Sequence, residues 1–408
     1  MQIVEMIKAP LRVVYHGVLD TLANSALKKI ANNKVENRPI KVGFLVQMPS
    51  VWDKEENIFE AMVEDERFEP YLILVPEYDF TNSKISDYGE DALYFIKKYD
   101  KKFLLRAYRD GRWRNLKSLN MDYIFYQRCW EKYLPKEYHT KQVIKYAKTC
   151  YVPYDYQSLI LPEIYYKPSF FKNLYLFFTS NKQQLILQKN NKYKKIFYEG
   201  YPSLDKPIVY KKVSDEKLIL WTPRWIDDKE TGGSTFLKYW KKILSIKENN
   251  PQVDLVLRPH PLTFQNMVKN KDLTQDEVDA YKKNVTDLGV RFDDNALIKD
   301  TFSKTDILIT DQSSIIITYF MIGNPMIYTA NTDIDYSDEM REIIDCSYVA
   351  KNFHEVEKYV DDLLKGVDPL KEKREALSKK FVKLNENASL KICDRIAEDA
   401  GFVKQMFV

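Results

Sequence analysis

Residues 306–328 read DILITDQSSIIITYFMIGNPMIY. A short β-branched run, Asp306–Thr310, meets a polar step at Asp311-Gln312-Ser313-Ser314, after which an apolar stretch of helical length runs to Ile322. Gly323-Asn324-Pro325 stops that helix, and Pro325–Tyr328 is a second short apolar run. Brief runs that are apolar throughout suit strands covered on both faces. The spacing therefore predicts strand, helix over Ser313–Ile322, strand, the unit from which parallel sheets are built.

The same alternation extends outward. Leu218–Thr222, Val253–Arg258 and Val290–Asp293 read as strands, with a helix over Thr235–Ile246. Before the turn-rich Glu199–Pro207 lies an earlier set: strands at Ile40–Gln47, Phe68–Val75, Tyr123–Gln127, Thr149–Pro153, Leu174–Thr179 and Ile196–Tyr198. Helices are expected between them at Trp52–Asp65, Ile85–Lys98 and Lys182–Gln188. The expectation is an α/β, GT-B-like chain in which two doubly wound, Rossmann-like domains face a central cleft, with ligands outside the carboxyl ends of the strands. The expected divisions are 1–37, an amphipathic helical segment; 38–203, an acceptor-side domain; 204–352, a donor-binding domain; and 353–408, helices that return toward the first domain.

Bulk properties fit this plan. At 408 residues the chain exceeds one ordinary core, and 45% hydrophobic with 30% charged residues describes a globular protein. A net charge of +4 among 63 basic and 59 acidic residues gives no argument for nucleic acid. Cys129, Cys150, Cys346 and Cys393 lack zinc or redox spacing, so reduced thiols and a cytoplasmic location are expected. No apolar run reaches the roughly 18 residues of a membrane span. Ile3, Ile7, Leu11, Val14, Val18 and Leu22 form one helical stripe, with Lys8, Arg12, Lys28 and Lys29 nearby. Two readings stand for it: an anchor on an anionic membrane surface, or a helix packed on its own domain or a second subunit.

Three strand exits carry candidate chemistry. Ser313 and Ser314 would cap the following helix and present hydroxyls and N–H groups to an anion such as a pyrophosphate, although the same residues suit an ordinary cap. Arg258-Pro259-His260-Pro261 follows a strand directly; Arg258 would clamp phosphate oxygens, and His260 would hydrogen-bond or protonate a leaving phosphate. Trp221-Thr222-Pro223-Arg224-Trp225 leaves another strand, followed by Asp227, Asp228 and Gly232-Gly233-Ser234. Arg224 would reach a phosphate, while the tryptophans suit a core equally well.

These segments, WTPRW, RPHP and ITDQSSIIITYFMIGNPMIY, resemble in order the CDP-glycerol glycerophosphotransferases that build teichoic acid and related polymers. YIFYQ at Tyr123–Gln127, YAKTCYVPY at Tyr146–Tyr154 and EGYPSLD at Glu199–Asp205 extend the resemblance from about Ile40 past Tyr328. It implies a GT-B fold, a CDP-glycerol or CDP-ribitol donor, no covalently bound cofactor, and frequently a monotopic association with the inner membrane face. It also implies a donor pyrophosphate among Arg258, His260, Ser313 and Ser314; Arg224, where some relatives have His, and Asp311 are further candidates for the phosphate set. Many relatives carry a first-domain His in a WHG-like motif to act on the acceptor; none occupies that region here, and Asp155 is the candidate base in its place. The expected reaction is attack of an acceptor hydroxyl, on a lipid-linked glycan or a polyol phosphate, at the β-phosphorus, with release of CMP. A nucleotide-sugar glycosyltransferase and a catalytically weak binding subunit are the alternatives. Which polyol is used, any metal requirement and the oligomeric state stay open.

Overall fold

A computed structural model describes residues 20–76, 78–79, 84–85, 89–160, 163–166, 168–185, 193–212, 214–224, 233–260, 262–293, 295, 297–329 and 334–402. Two parallel sheets organise them. The first holds β1 (Ile40–Val46), β2 (Phe68–Leu74), β3 (Leu104–Arg106), β4 (Tyr123–Tyr126), β5 (Lys148–Tyr151), β6 (Leu176–Phe178) and β7 (Lys195–Phe197), in the order β7-β6-β5-β4-β1-β2-β3. The second holds β8 (Leu218–Thr222), β9 (Asp254–Leu257), β10 (Arg291–Phe292), β11 (Ile307–Thr310), β12 (Met326–Tyr328) and β13 (Tyr348–Val349), in the order β10-β9-β8-β11-β12-β13.

Both orders start at a central strand, wind outward one way, then jump back beside the starting strand. The jump leaves a crevice at the carboxyl ends, between β1 and β4 in one sheet and between β8 and β11 in the other. The strands are largely apolar because helices cover both faces; β4, β5, β8 and β11 are buried at every position, Lys148 of β5 included. In the first sheet Phe44 and Phe125 stack at 4.8 Å between centroids, and Phe178 extends the row at 6.4 Å from Phe125. In the second, Trp221 stacks on Phe236 at 5.7 Å, within a core that Phe353, Val356, Val360 and Leu363 complete. Trp221 is thus a core residue.

The chain forms two compact units, Met1–Asp155 with Leu161–Asp205 and Asn385–Val408, and Tyr156–Ile160 with Lys206–Leu384. The divisions fall at Asp205 and Leu384 instead of at 203 and 352, for local reasons. The helix Phe353–Leu364 buries its apolar stripe in the second core. The last helix, Ala388–Ala400, starts on the carboxylate of Asp205, which accepts from Ala388 N and Ser389 N at 2.8 and 3.0 Å. Near its other end Asp399 is buried and accepts from Lys148 Nζ at 2.6 Å, Tyr123 Oη at 2.7 Å, Tyr175 Oη at 2.8 Å and Lys195 Nζ. Burial pushes the Asp399 carboxyl up, but the lysines and Tyr123 outweigh it and hold it below its usual value.

Residues 20–31 are helical, and Ala23, Leu27 and Ile30 are buried, so this stretch packs on its own unit. Leu22, on a neighbouring face, is 62% exposed. The rest of the expected amphipathic stripe lies outside the described residues. Among them no helix is long and apolar enough to cross a membrane. The four cysteines are free.

Candidate functional site

The crevice of the second sheet is built by β8 and β11. Thr310 Oγ1 accepts from Thr222 Oγ1 at 2.9 Å and donates to the Thr222 carbonyl, fixing the two strand ends side by side. Asp311 follows and is fully buried. One carboxylate oxygen accepts from Arg224 N at 2.7 Å; the other accepts from Thr235 N at 2.8 Å and Thr235 Oγ1 at 3.0 Å. Burial pushes Asp311 up to about 6, against the pull of those donors. Asp311 therefore braces the loop that carries Arg224 and offers nothing to an anion, which corrects its expected place in the phosphate set: its oxygens are already occupied and a carboxylate repels phosphate. Arg224 itself donates to Gln312 Oε1 at 2.9 Å, and Gln312 Nε2 donates to Ser158 Oγ at 2.9 Å. Trp225, Asp227, Asp228, Gly232 and Pro261 lie outside the described residues.

Ser313 and Ser314 do not cap a long helix. The regular turn spans Ile316–Phe320, Ile315 occupies its N-cap without a side-chain bond, and Ser313 Oγ accepts only a 3.5 Å contact from Ile315 N. The preceding residues form turns because Thr310–Gln312 are tied to β8 and Ser158. Instead the two serines line a void of about 10 Å³, room for one water, with Tyr156, Ser158, Ile316, Ile317, Met340 and Ile343.

Arg258 leaves β9, next to β8 in the sheet. Its Nη1 donates to Asp293 Oδ2 at 2.6 Å and to the Asn295 carbonyl at 2.9 Å. Burial raises the Asp293 carboxyl, but hydrogen bonds from Thr301 and Arg258 prevail and hold it low. The guanidinium is thus oriented by a fixed anion, and its remaining N–H groups are the ones a phosphate would meet. His260 stands at the surface; Leu262 N donates to its Nδ1 at 3.2 Å, which puts the ring proton on Nε2. Partial desolvation lowers its pKa, favouring that neutral form.

Arg224, Arg258, His260, Ser313 and Ser314 all belong to the second unit and leave three neighbouring strands at one sheet edge. Asp155 belongs to the first unit, where it acts electrostatically on Lys54, Cys129 and Tyr151. Sequence reasoning missed the pair Lys54 and Glu55 at the start of the helix Asp53–Val63. Both are fully buried; Lys54 Nζ donates to the carbonyls of Val51 and Gln127, the latter at 3.1 Å. Burial lowers the Lys54 pKa and pushes Glu55 up to about 7, and neither Glu55 oxygen has a partner among the described residues. Within DKEE nothing distinguishes these two from a solvated helix start. Also among the described residues, no three His, Cys, Asp or Glu side chains cluster as a metal site would require.

Comparison with known proteins places the fold. The chain is 16% identical to the wall teichoic acid polymerase TagF, with 97% of this chain and 98% of that one superposed at a TM-score of 0.56. It is 14% identical to a UDP-N-acetylglucosamine 2-epimerase, over 90% and 98% of the two chains, with a TM-score of 0.57. The epimerase of Neisseria meningitidis bound to UDP-GlcNAc is 11% identical over 88% and 100%, with a TM-score of 0.55. Likeness at these identities is one of fold, α/β and GT-B-like with two Rossmann-like sheets. No curated protein matches the sequence. Residues 160–398, more than half the chain, match the family described as CDP-glycerol:poly(glycerophosphate) glycerophosphotransferase. This chain belongs to that family and is, with it, a phosphotransferase enzyme.

Proposed function

We propose that the protein transfers a polyol phosphate, glycerol phosphate first among candidates, from a CDP-polyol to a hydroxyl of a cell-surface polymer or lipid-linked glycan. The reading rests on one observation: at the carboxyl edge of the second sheet, two arginines, a histidine and two serines leave neighbouring strands. Arg258 and Arg224 neutralise the diphosphate, each held at one edge by its own partner, Asp293 and Gln312. Ser313 and Ser314 contribute hydroxyl donors. The acceptor oxygen attacks the β-phosphorus, the bond to the bridging oxygen breaks, and CMP leaves on that oxygen with a hydrogen bond from His260. Asp155 takes the acceptor proton. The work of such a site is positioning and charge neutralisation more than covalent chemistry.

Incubating the protein with CDP-glycerol, CDP-ribitol and a panel of nucleotide sugars, with glycan and polyol-phosphate acceptors, tests this. CMP formed only from CDP-polyols is the expected result. Release of UDP or GDP from nucleotide sugars would make it a glycosyltransferase instead. The protein is expected at the inner membrane face, which flotation with anionic vesicles checks.

A further inference from the structure

The first sheet has its own crevice, between β1 and β4, and the reaction above leaves most of it unassigned. Gln127, at the exit of β4, closes its floor: its Oε1 accepts from Gln47 N and Met48 N, each at 2.9 Å, and its Nε2 donates to the Met48 carbonyl at 2.7 Å. Three residues on, Trp130 is 43% exposed, whereas Trp52, Trp221 and Trp240 are exposed by 7% or less. Tyr154, at the exit of neighbouring β5, packs against it with ring centroids 4.9 Å apart and planes inclined at 51°. An indole held by a second ring and left open to solvent, at the edge where doubly wound sheets take their ligands, is a surface shaped for something else to cover.

From this geometry we infer that Trp130 and Tyr154 form a sugar-binding platform, and that the acceptor presents a pyranose ring to this enzyme at the point of recognition. The inference rests on the transfer reaction proposed above. A pyranose offers one face of C–H groups, polarised by neighbouring oxygens, to the negative face of an aromatic ring, and a rim of hydroxyls to polar neighbours. A bare polyol phosphate has no such face and carries a charge per unit, which calls for cations. The two cations flanking Trp130 in sequence are turned elsewhere: Arg128 and Lys132 lie over the ring of Tyr133 at 4.8 and 4.7 Å, and Arg128 also donates to Gln47 Oε1 at 2.9 Å. A nucleobase would be suited by two parallel planes, and these two rings are steeply inclined.

The test is calorimetric titration of the full-length protein with maltose, cellobiose, N,N′-diacetylchitobiose and a glycerol phosphate dimer, and separately with CDP-glycerol. At least one disaccharide should bind and the glycerol phosphate dimer should not. Trp130→Ala should weaken the disaccharide roughly tenfold or more, while Trp130→Phe, which keeps a ring, retains most of the affinity. Absence of disaccharide binding to the unaltered protein, or a Trp130→Ala variant that loses CDP-glycerol instead, would overturn the platform. Because binding is read without turnover, failure of every CDP-polyol to release CMP would remove the transfer reaction while the titration still decides the platform.

Discussion

With the Leu262 N–H on its Nδ1, His260 is held as the neutral Nε2–H tautomer, so in the reaction proposed above it would act as a neutral donor to the leaving CMP and not as a cationic acid. Replacing it with Ala should slow CMP release on the order of 100-fold. Desolvation sets its pKa below 6.5, so the rate should hold through neutrality and fall only as the pH drops through that lowered value, when protonation breaks the Leu262 bond. A pH–rate profile with an acid limb at or above 6.5 would assign that limb to another group. Glu55 gives the opposite sign in stability. Its folded pKa, about 7, lies above its usual 4.5, so its contribution is complete below 4.5 and is lost as the pH rises through 7. Unfolding measured between about pH 5 and pH 8 should show a loss of about 3 kcal/mol from this group, absent in Glu55→Gln. The motif RPHP could be read locally because its prolines and its strand are contiguous. Asp293, which orients Arg258, lies 35 residues away, and burial of Glu55 is decided by what packs over it; neither is encoded in the neighbours of the residue concerned.

Among the elements, strands flanked by polar turns were legible to within one or two residues, since a continuous apolar run has few other homes. Those missed in the two large sheets, β3 and β13, are edge strands of three and two residues, too short to show a pattern, as are the missed two-residue strands of the antiparallel pairs Tyr78–Asp79 with Lys84–Ile85 and Tyr108–Arg109 with Arg112–Trp113. Helices were less faithful. Thr235–Ile246 breaks into Phe236–Tyr239, a tight turn at Lys242–Leu244 and Ser245–Asn249. Ile85–Lys98 begins only at Gly89, because Lys84–Ile85 pairs with Tyr78–Asp79. The last helix carries a prediction of its own. Asp205→Ala removes its N-terminal acceptor and should cost about 1 kcal/mol, as caps do. Asp399→Ala leaves buried Lys148, Tyr123 and Tyr175 without their shared acceptor and should cost about 3 to 5 kcal/mol. Urea denaturation of both variants checks the order; equal losses would mean that the Asp399 cluster is solvated.

At the scale of the whole molecule, the alternation of strand and helix announced two doubly wound units, but not how the chain is shared between them. The second unit borrows Tyr156–Ile160 from the middle of the first, paired through Leu159 and Tyr336 and through Ser337 N to the Ser158 carbonyl at 2.9 Å. The first takes back Asn385–Val408. A fragment ending at Asp205 therefore lacks the helix that buries Ile392, Cys393 and Ile396, and should be insoluble or unfold without cooperativity. Joining residues 385–408 to that fragment by a flexible linker should restore a cooperative melt by circular dichroism. The interlacing has a consequence for descent as well. A single genetic crossover between codons 206 and 384 would leave each product with a first half from one parent and its closing helix from the other, so mismatched parents would yield chains that fail to assemble. Shuffling the lobes among relatives therefore requires two coordinated exchanges, and the pair is expected to be inherited as one block.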